Sequence, residues 1–185
     1  MQPEEHIDQR GRHLVLRPIR AEDDARHREF LARIASQDLY LRFFAGIHEL
    51  SETERTRLTH IDNEREMAFV AVADAGEPGA GEILAVARAS ADPDNSSAEF
   101  AVLVRSDLKG QGLGTLLMRR LISYCREHGT RELRGSVLAE NTAMRRLCAT
   151  LGFRVRGCER NVLELALDLS GYTARESGTT PAVGA

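Results

Sequence analysis

The sequence predicts a single α/β domain built on a mixed sheet. Three observations carry this expectation. Segments that alternate apolar and polar residues are interleaved with segments whose apolar residues recur at helical spacing. Three strand-like runs follow one another between residues 67 and 104, joined by short turns. And 185 residues suffice for one good core but are too few for two ordinary domains.

Residues 1–12 are polar and without pattern, so a flexible segment is expected there, with the domain spanning 13–169. "HLVLRPI" places Leu14 and Leu16 on one side of a strand. "AEDDARHREFLARIA" begins with acids and carries Phe30, Leu31 and Ile34 at helical spacing, which predicts an amphipathic helix. A short helix is expected over "QDLYLRFFA", with Tyr40, Phe43 and Phe44 filling space beneath the sheet. Ser51, three residues before Glu54, is a capping-box signature for another helix. "MAFVAVAD", "EILAVARAS" and "AEFAVLV" are the three consecutive strands, and "DPDNSS" reads as a turn because it lacks the glycine and final glutamate of a calcium loop. "LGTLLMRRLISYCREHG" sets Leu113, Leu116, Leu117, Leu121 and Ile122 on one helix face and ends at Gly129. "RELRGSVL" is a strand, "NTAMRRLCATLG" a helix opened by Asn141 and closed by Gly152, and "FRVRG" and "NVLELALDL" the last strands. The tail, residues 170–185, is rich in small and turn-forming residues and is expected to be flexible.

Composition excludes several classes. At 42% hydrophobic and 29% charged residues, the chain has the balance of a water-soluble protein. A net charge of −3 argues against a general nucleic-acid binder. No apolar run approaches the ~20 residues of a membrane helix, and the N-terminus has neither a signal h-region nor transit-peptide character, so a cytoplasmic protein is expected. Cys125, Cys148 and Cys158 fit no zinc or CxxC spacing and are expected to be free thiols, with no metal site. Lys109 is the only lysine among 25 basic residues.

The chemistry concentrates in "KGQGLG", which puts Gly110, Gly112 and Gly114 between a strand and a helix. Strand, glycine turn and helix N-terminus together make an anion site, because first-turn N–H groups and the helix dipole converge there. The P-loop does not fit, since Lys109 precedes the glycines, and the dinucleotide fingerprint does not fit, since Thr115 stands where its third glycine would be. The segment resembles the Q/R-x-x-G-x-G/A loop of the GNAT superfamily of N-acetyltransferases, with Lys109 where Gln or Arg is usual, and "ENTAMRRLCATLGF" resembles the second signature of that family. The resemblance covers roughly Leu14 to Leu169. It implies a mixed, mostly antiparallel sheet flanked by helices and acetyl-CoA as co-substrate. Lys109, Gly110, Gln111, Gly112, Leu113, Gly114 and Thr115 would hold the pyrophosphate, Asn141 would touch the pantetheine or phosphate region, and Val102, Leu103 and Val104 would pair with pantetheine through their backbones. Arg119, Arg120, Arg145 and Arg146 lie on or near the two helices that would flank the cofactor.

Acetyl transfer to an amine of pKa near 10 calls for a proton acceptor. Glu99 is the candidate general base, ~16 Å along its strand from Val104 at ~3.3 Å per residue, comparable to the reach of pantetheine; burial beside Phe100 would raise its pKa into a useful range. Many relatives have a tyrosine acid where Cys148 stands, and Cys148 reads as a packed helix residue. The N-terminal half resembles Pat-type protein lysine acetyltransferases. That narrower resemblance implies a protein substrate, an AMP-forming acyl-CoA synthetase; charge and hydropathy predict no nucleic-acid or membrane partner. Arg42, Glu49, Glu52 and Glu54 are candidates for facing the acceptor. Many Pat-type members carry a further regulatory domain, for which this length leaves no room. Two alternatives stay open: an acetyltransferase for a small-molecule amine, and a catalytically silent acyl-CoA-binding regulator.

Overall fold

A computed structural model describes residues 4–43, 52–62 and 65–171. Their strands are β1 (Glu5–Asp8), β2 (His13–Pro18), β3 (Glu66–Ala73), β4 (Ile83–Ala91), β5 (Ser97–Val104), β6 (Glu132–Leu138), β7 (Arg154–Glu159) and β8 (Val162–Asp168). The helices are α1 (Asp24–Ala32), α2 (Ser36–Phe43), α3 (Glu52–Arg57), α4 (Leu113–Glu127) and α5 (Thr142–Thr150). One sheet holds all eight strands in the order β1-β2-β3-β4-β5-β6-β8-β7. Neighbours run antiparallel except β5 and β6.

Each face of the sheet carries its own core. Phe69, Leu84, Phe100, Val102 and Leu133 meet Leu113, Leu117, Leu121 and Ile122 of α4 and Cys148 of α5 on one side. On the other, Val70, Val72, Ile83 and Val86 meet Phe30 and Leu31 of α1 and Leu39 of α2. The strand between them, β3, is therefore buried along nearly its whole length and reads in sequence as a continuous apolar run. Its neighbour β2 supplies Arg17, whose guanidinium donates to Asp23 at 2.6 and 2.8 Å; Asp23, fully buried, also accepts the N–H of Arg20 and fixes the entry to α1.

Two expectations change. The stretch through residue 12 is not patternless in space: Glu5–Asp8 forms an edge strand on β2, with Ile7 packed against the core. A four-residue strand with one apolar residue is too short to produce a readable period, and Arg10 and Gly11, both at positive φ, turn it into a hairpin. Tyr40 does not fill space beneath the sheet; it is 46% exposed, and Leu39 takes the buried position. The further helix expected there, α3, does follow α2 before the sheet resumes. Phe44, Glu49 and Ser51, the side chains of Phe43, Glu52 and Glu54, and the tail beyond Gly171 lie outside the described residues.

Candidate active site

β5 and β6 are paired only at Ser97–Glu132, Ala98–Leu133 and Glu99–Arg134. Beyond Glu99, β5 keeps its partner β4 as far as Val104, and β6 keeps β8 as far as Leu138, but the two no longer bond to each other. The result is a wedge whose walls are two strand edges. Gly135 helps shape it: a Cβ there would lie 2.4 Å from Cε1 of Phe100, so the glycine lets the Phe100 ring, tilted against Phe153 at a ring distance of 4.8 Å, pass close to β6.

A cavity of about 520 Å³ opens from this wedge, bounded by β5, β6, α2, α5 and the first turn of α4. It is lined by Glu99, Val102, Leu103, Val104, Lys109, Gly110, Gly112, Leu113, Gly114, Thr115 and Asn141, so eleven of the twelve residues singled out from sequence converge on one space. Gln111 is the exception; its carbonyl points instead to Gln9, whose Nε2 donates to it at 3.1 Å.

The loop has the conformation that its glycines allow. Gly112, the N-cap of α4, sits at φ +90°, and a Cβ on it would lie 2.6 Å from Gln9 Nε2. Gly114, in the first turn, lets α4 approach α5 and β5: a Cβ there would meet Leu147 Cδ1 at 3.0 Å and Val104 Cγ2 at 3.5 Å. The first-turn N–H groups of α4 have no carbonyl one turn back to bond, which leaves them to an anion. Lys109 lines the cavity, and its ammonium is paired with Asp38 of α2, which also accepts from Ser106 Oγ at 2.6 Å. Asn141 caps α5, accepting the N–H of Met144 at 3.1 Å, so its position at the cavity wall follows from a structural task. Of the four helix arginines, only Arg146 lines this cavity; Arg120 reaches Glu5 at 3.3 Å, Arg145 donates to the Ala139 carbonyl, and Arg119 lines a separate groove.

Glu99 lies at the far end of β5 from the loop. It is exposed, and the expected burial beside Phe100 is absent because consecutive strand residues face opposite sides of the sheet. Glu99 shares its side with Leu103 and Arg88. Arg42, from α2, lines the cavity with Glu99; burial lowers its pKa and the Glu99 charge opposes that shift. Burial, aided by Arg42, brings Arg88 down to about 10. Cys148 does not line the cavity. Its thiol lies in the core, where burial pushes it up to about 12, a value at which it is a poor acid toward a thiolate of pKa ~8.5.

Arg42, a sequence candidate for facing the acceptor, does line the cavity; Arg10, Asp38, Ser136 and Met144 also line it and were not selected as site residues from sequence. Only Asp38 carried a local signal, as an acid in the first turn of a helix, and that signal is common to helices that have no site.

Relatives of the chain agree with this geometry. The model for the acetyltransferase (GNAT) domain matches residues 13–154. An acetyltransferase of Pseudomonas aeruginosa is 38% identical over 143 residues, 77% of this chain and 76% of that protein. Acetyltransferase Pat of Mycolicibacterium smegmatis is 29% identical over 77% of this chain, which spans 41% of that longer protein. Among solved structures, the GNAT domain of S. lividans PAT superposes with a TM-score of 0.79 at 27% identity, covering 89% of this chain and 96% of that one. Spermidine N-acetyltransferase from Vibrio cholerae, solved with CoA and spermine, shares the fold at a TM-score of 0.66 and 20% identity, covering 85% and 96%. No described helix is long and apolar enough to cross a membrane. With a strand wedge leading to a glycine-capped helix, and with sequence kinship running through both, the chain belongs to the GNAT family of N-acetyltransferases, enzymes that use acetyl-CoA.

Proposed function

We propose that the protein transfers the acetyl group of acetyl-CoA to the side-chain amine of a lysine on a protein, in the cytoplasm, and that its acceptor is an AMP-forming acyl-CoA synthetase. The observation that carries the catalytic part is the single cavity running from the α4 loop along β5 to Glu99. The kinship with Pat-type enzymes supports the acceptor class.

The residues present suit the donor. Left-handed Gly112 and closely packed Gly114 give a phosphate access to the first-turn N–H groups of α4, with Lys109 beside them. The edge of β5 over residues 102–104, which β6 does not cover, offers N–H and C=O groups to an extended amide chain such as pantetheine. When bound, acetyl-CoA supplies a thioester carbonyl open to attack by an amine. A lysine amine is almost wholly protonated at neutral pH, so the Glu99 carboxylate accepts its proton, directly or through water. The Arg42 guanidinium lines the same cavity and lies within electrostatic reach of the Glu99 carboxylate. Backbone N–H groups of β5 orient the thioester. The departing thiolate needs no strong acid, in keeping with the core position of Cys148.

The test is intact-mass counting of acetyl groups on a purified acyl-CoA synthetase incubated with acetyl-CoA and the enzyme, with Glu99→Gln in parallel and small amines as competitors. One acetyl group from wild type and at least tenfold slower transfer by the variant supports both assignments. Equal rates remove Glu99 as the base. Transfer to polyamines or amino acids in preference to the synthetase moves the acceptor to a small molecule, and CoA binding without any turnover identifies a silent sensor.

A further inference from the structure

The match to the family begins at residue 13, yet the hairpin that precedes it reaches the cofactor loop. Its tip is tightly built. Gln9 and Arg12 exchange backbone hydrogen bonds of 2.9 and 3.3 Å, Asp8 Oδ1 accepts the N–H of Gly11 at 2.7 Å, and Arg10 and Gly11 hold φ of 57° and 80°. Glu5, on the same strand, is anchored to Arg120 of α4, whose guanidinium also lies over the Phe69 ring at 5.0 Å. From this tip two side chains extend to consecutive loop carbonyls: Arg10 Nη1 donates to Gly110 O at 3.2 Å and Gln9 Nε2 to Gln111 O at 3.1 Å. The Gln9 amide takes up the space that a Cβ on Gly112 would need. Arg10 is exposed, and it lines the main cavity beside Gly110 and Gly112.

We propose that the Gln9–Arg10 hairpin tip is part of the donor site, with Gln9 a positioning residue that braces the glycine loop and Arg10 a binding residue for a phosphate of CoA. Bonds to the loop's carbonyls leave its N–H groups turned to the ligand, and one of the five guanidinium donors of Arg10 is engaged by Gly110 while the group sits at the cavity rim. A guanidinium there adds a charge-assisted, fork-shaped contact to an anion already favoured by the helix terminus. Two groups on the donor carry the required chemistry, the diphosphate and the 3′-phosphate. The inference rests on the donor's phosphates lying over the loop and is independent of the acceptor.

Calorimetric titration of the full chain with CoA, 3′-dephospho-CoA and pantetheine separates these possibilities, for wild type, Arg10→Ala and Arg10→Lys. If the loop is the phosphate site, wild type binds CoA far more tightly than pantetheine; equal affinities would overturn that underlying reading. With that difference in place, Arg10→Ala is expected to weaken CoA about tenfold, with Arg10→Lys intermediate and pantetheine unchanged. Weakening of CoA but not of dephospho-CoA assigns the contact to the 3′-phosphate; weakening of both assigns it to the diphosphate. Unchanged CoA affinity, or an equal loss for pantetheine, overturns the role of Arg10. For Gln9→Ala, hydrogen exchange of the amides from Gly110 to Leu113 in the ligand-free protein is expected to quicken about tenfold, and unaltered exchange overturns the brace.

Discussion

Acidification from pH 7 to pH 5 is expected to destabilise the fold by about 2 kcal/mol through His27 alone. The His27 side chain lies on α1, 3% exposed, tilted against Phe30 at a ring distance of 5.8 Å. Burial pushes its imidazole down to about 4 and the nearby Arg88 charge adds to that, while Asp24 and Asp23 oppose it. In the unfolded chain the group returns to ~6.5. Below that value the unfolded state takes up a proton that the folded state refuses, so stability present above ~6.5 is lost progressively as the pH falls toward about 4. At ~1.4 kcal/mol per pKa unit the whole window is worth about 3 kcal/mol, of which about 2 kcal/mol is gone at pH 5 and only a few tenths at pH 7. Urea denaturation of wild type and His27→Leu at both pH values isolates the effect, because other groups titrate equally in the two proteins. The wild type is expected to lose about 2 kcal/mol more than the variant on going from pH 7 to 5. Parallel losses in the two proteins would refute the reasoning.

Two further outcomes follow from the packing. Gly135→Ala places a methyl group 2.4 Å from the Phe100 ring, which is buried and packed against the tilted Phe153 ring, so displacement of that ring is expected to cost about 1–3 kcal/mol in a thermal melt and to weaken CoA binding through the wedge; an unchanged melting temperature would show that the ring moves freely. Of the three thiols, only exposed Cys158 is expected to react promptly with iodoacetamide at neutral pH, since burial pushes both Cys125 and Cys148 up to about 12, and Cys148→Ala is expected to keep its rate of acetyl transfer. A large fall in that rate with the fold intact would give Cys148 a catalytic role and refute its reading as a packed helix residue.

Much of this architecture is written locally. The helical spacing of Leu113, Leu117 and Leu121, the stop at Gly129 and the Asn141 cap each depend on residues a few positions apart, and the structure realises all of them. The convergence of Glu99 with the glycine loop was legible for the same reason, as both belong to one strand-loop-helix segment. What escaped notice is long-range. Asp38 meets Lys109 across 71 residues, and Gln9 meets Gln111 across 102, through polar contacts that impose no period on either segment. The exposure of Glu99 depends on which sheet face β5 presents to α2 and on how far β6 has diverged, and neither is encoded within the strand itself.

The pairing of Lys109 with Asp38 has a practical consequence for chemistry performed on this protein. An enzyme with one ε-amine in its whole sequence offers amine-directed reagents a single side-chain target, and that target stands beside the glycine loop. A lysine-specific label therefore reports on one address, and protection from labelling by CoA becomes a direct occupancy gauge. The same scarcity clears the background of acetylation assays: the enzyme can carry at most one stable acetyl-lysine of its own, so in a mixture with the proposed protein acceptor almost every acetyl-lysine counted would belong to that acceptor.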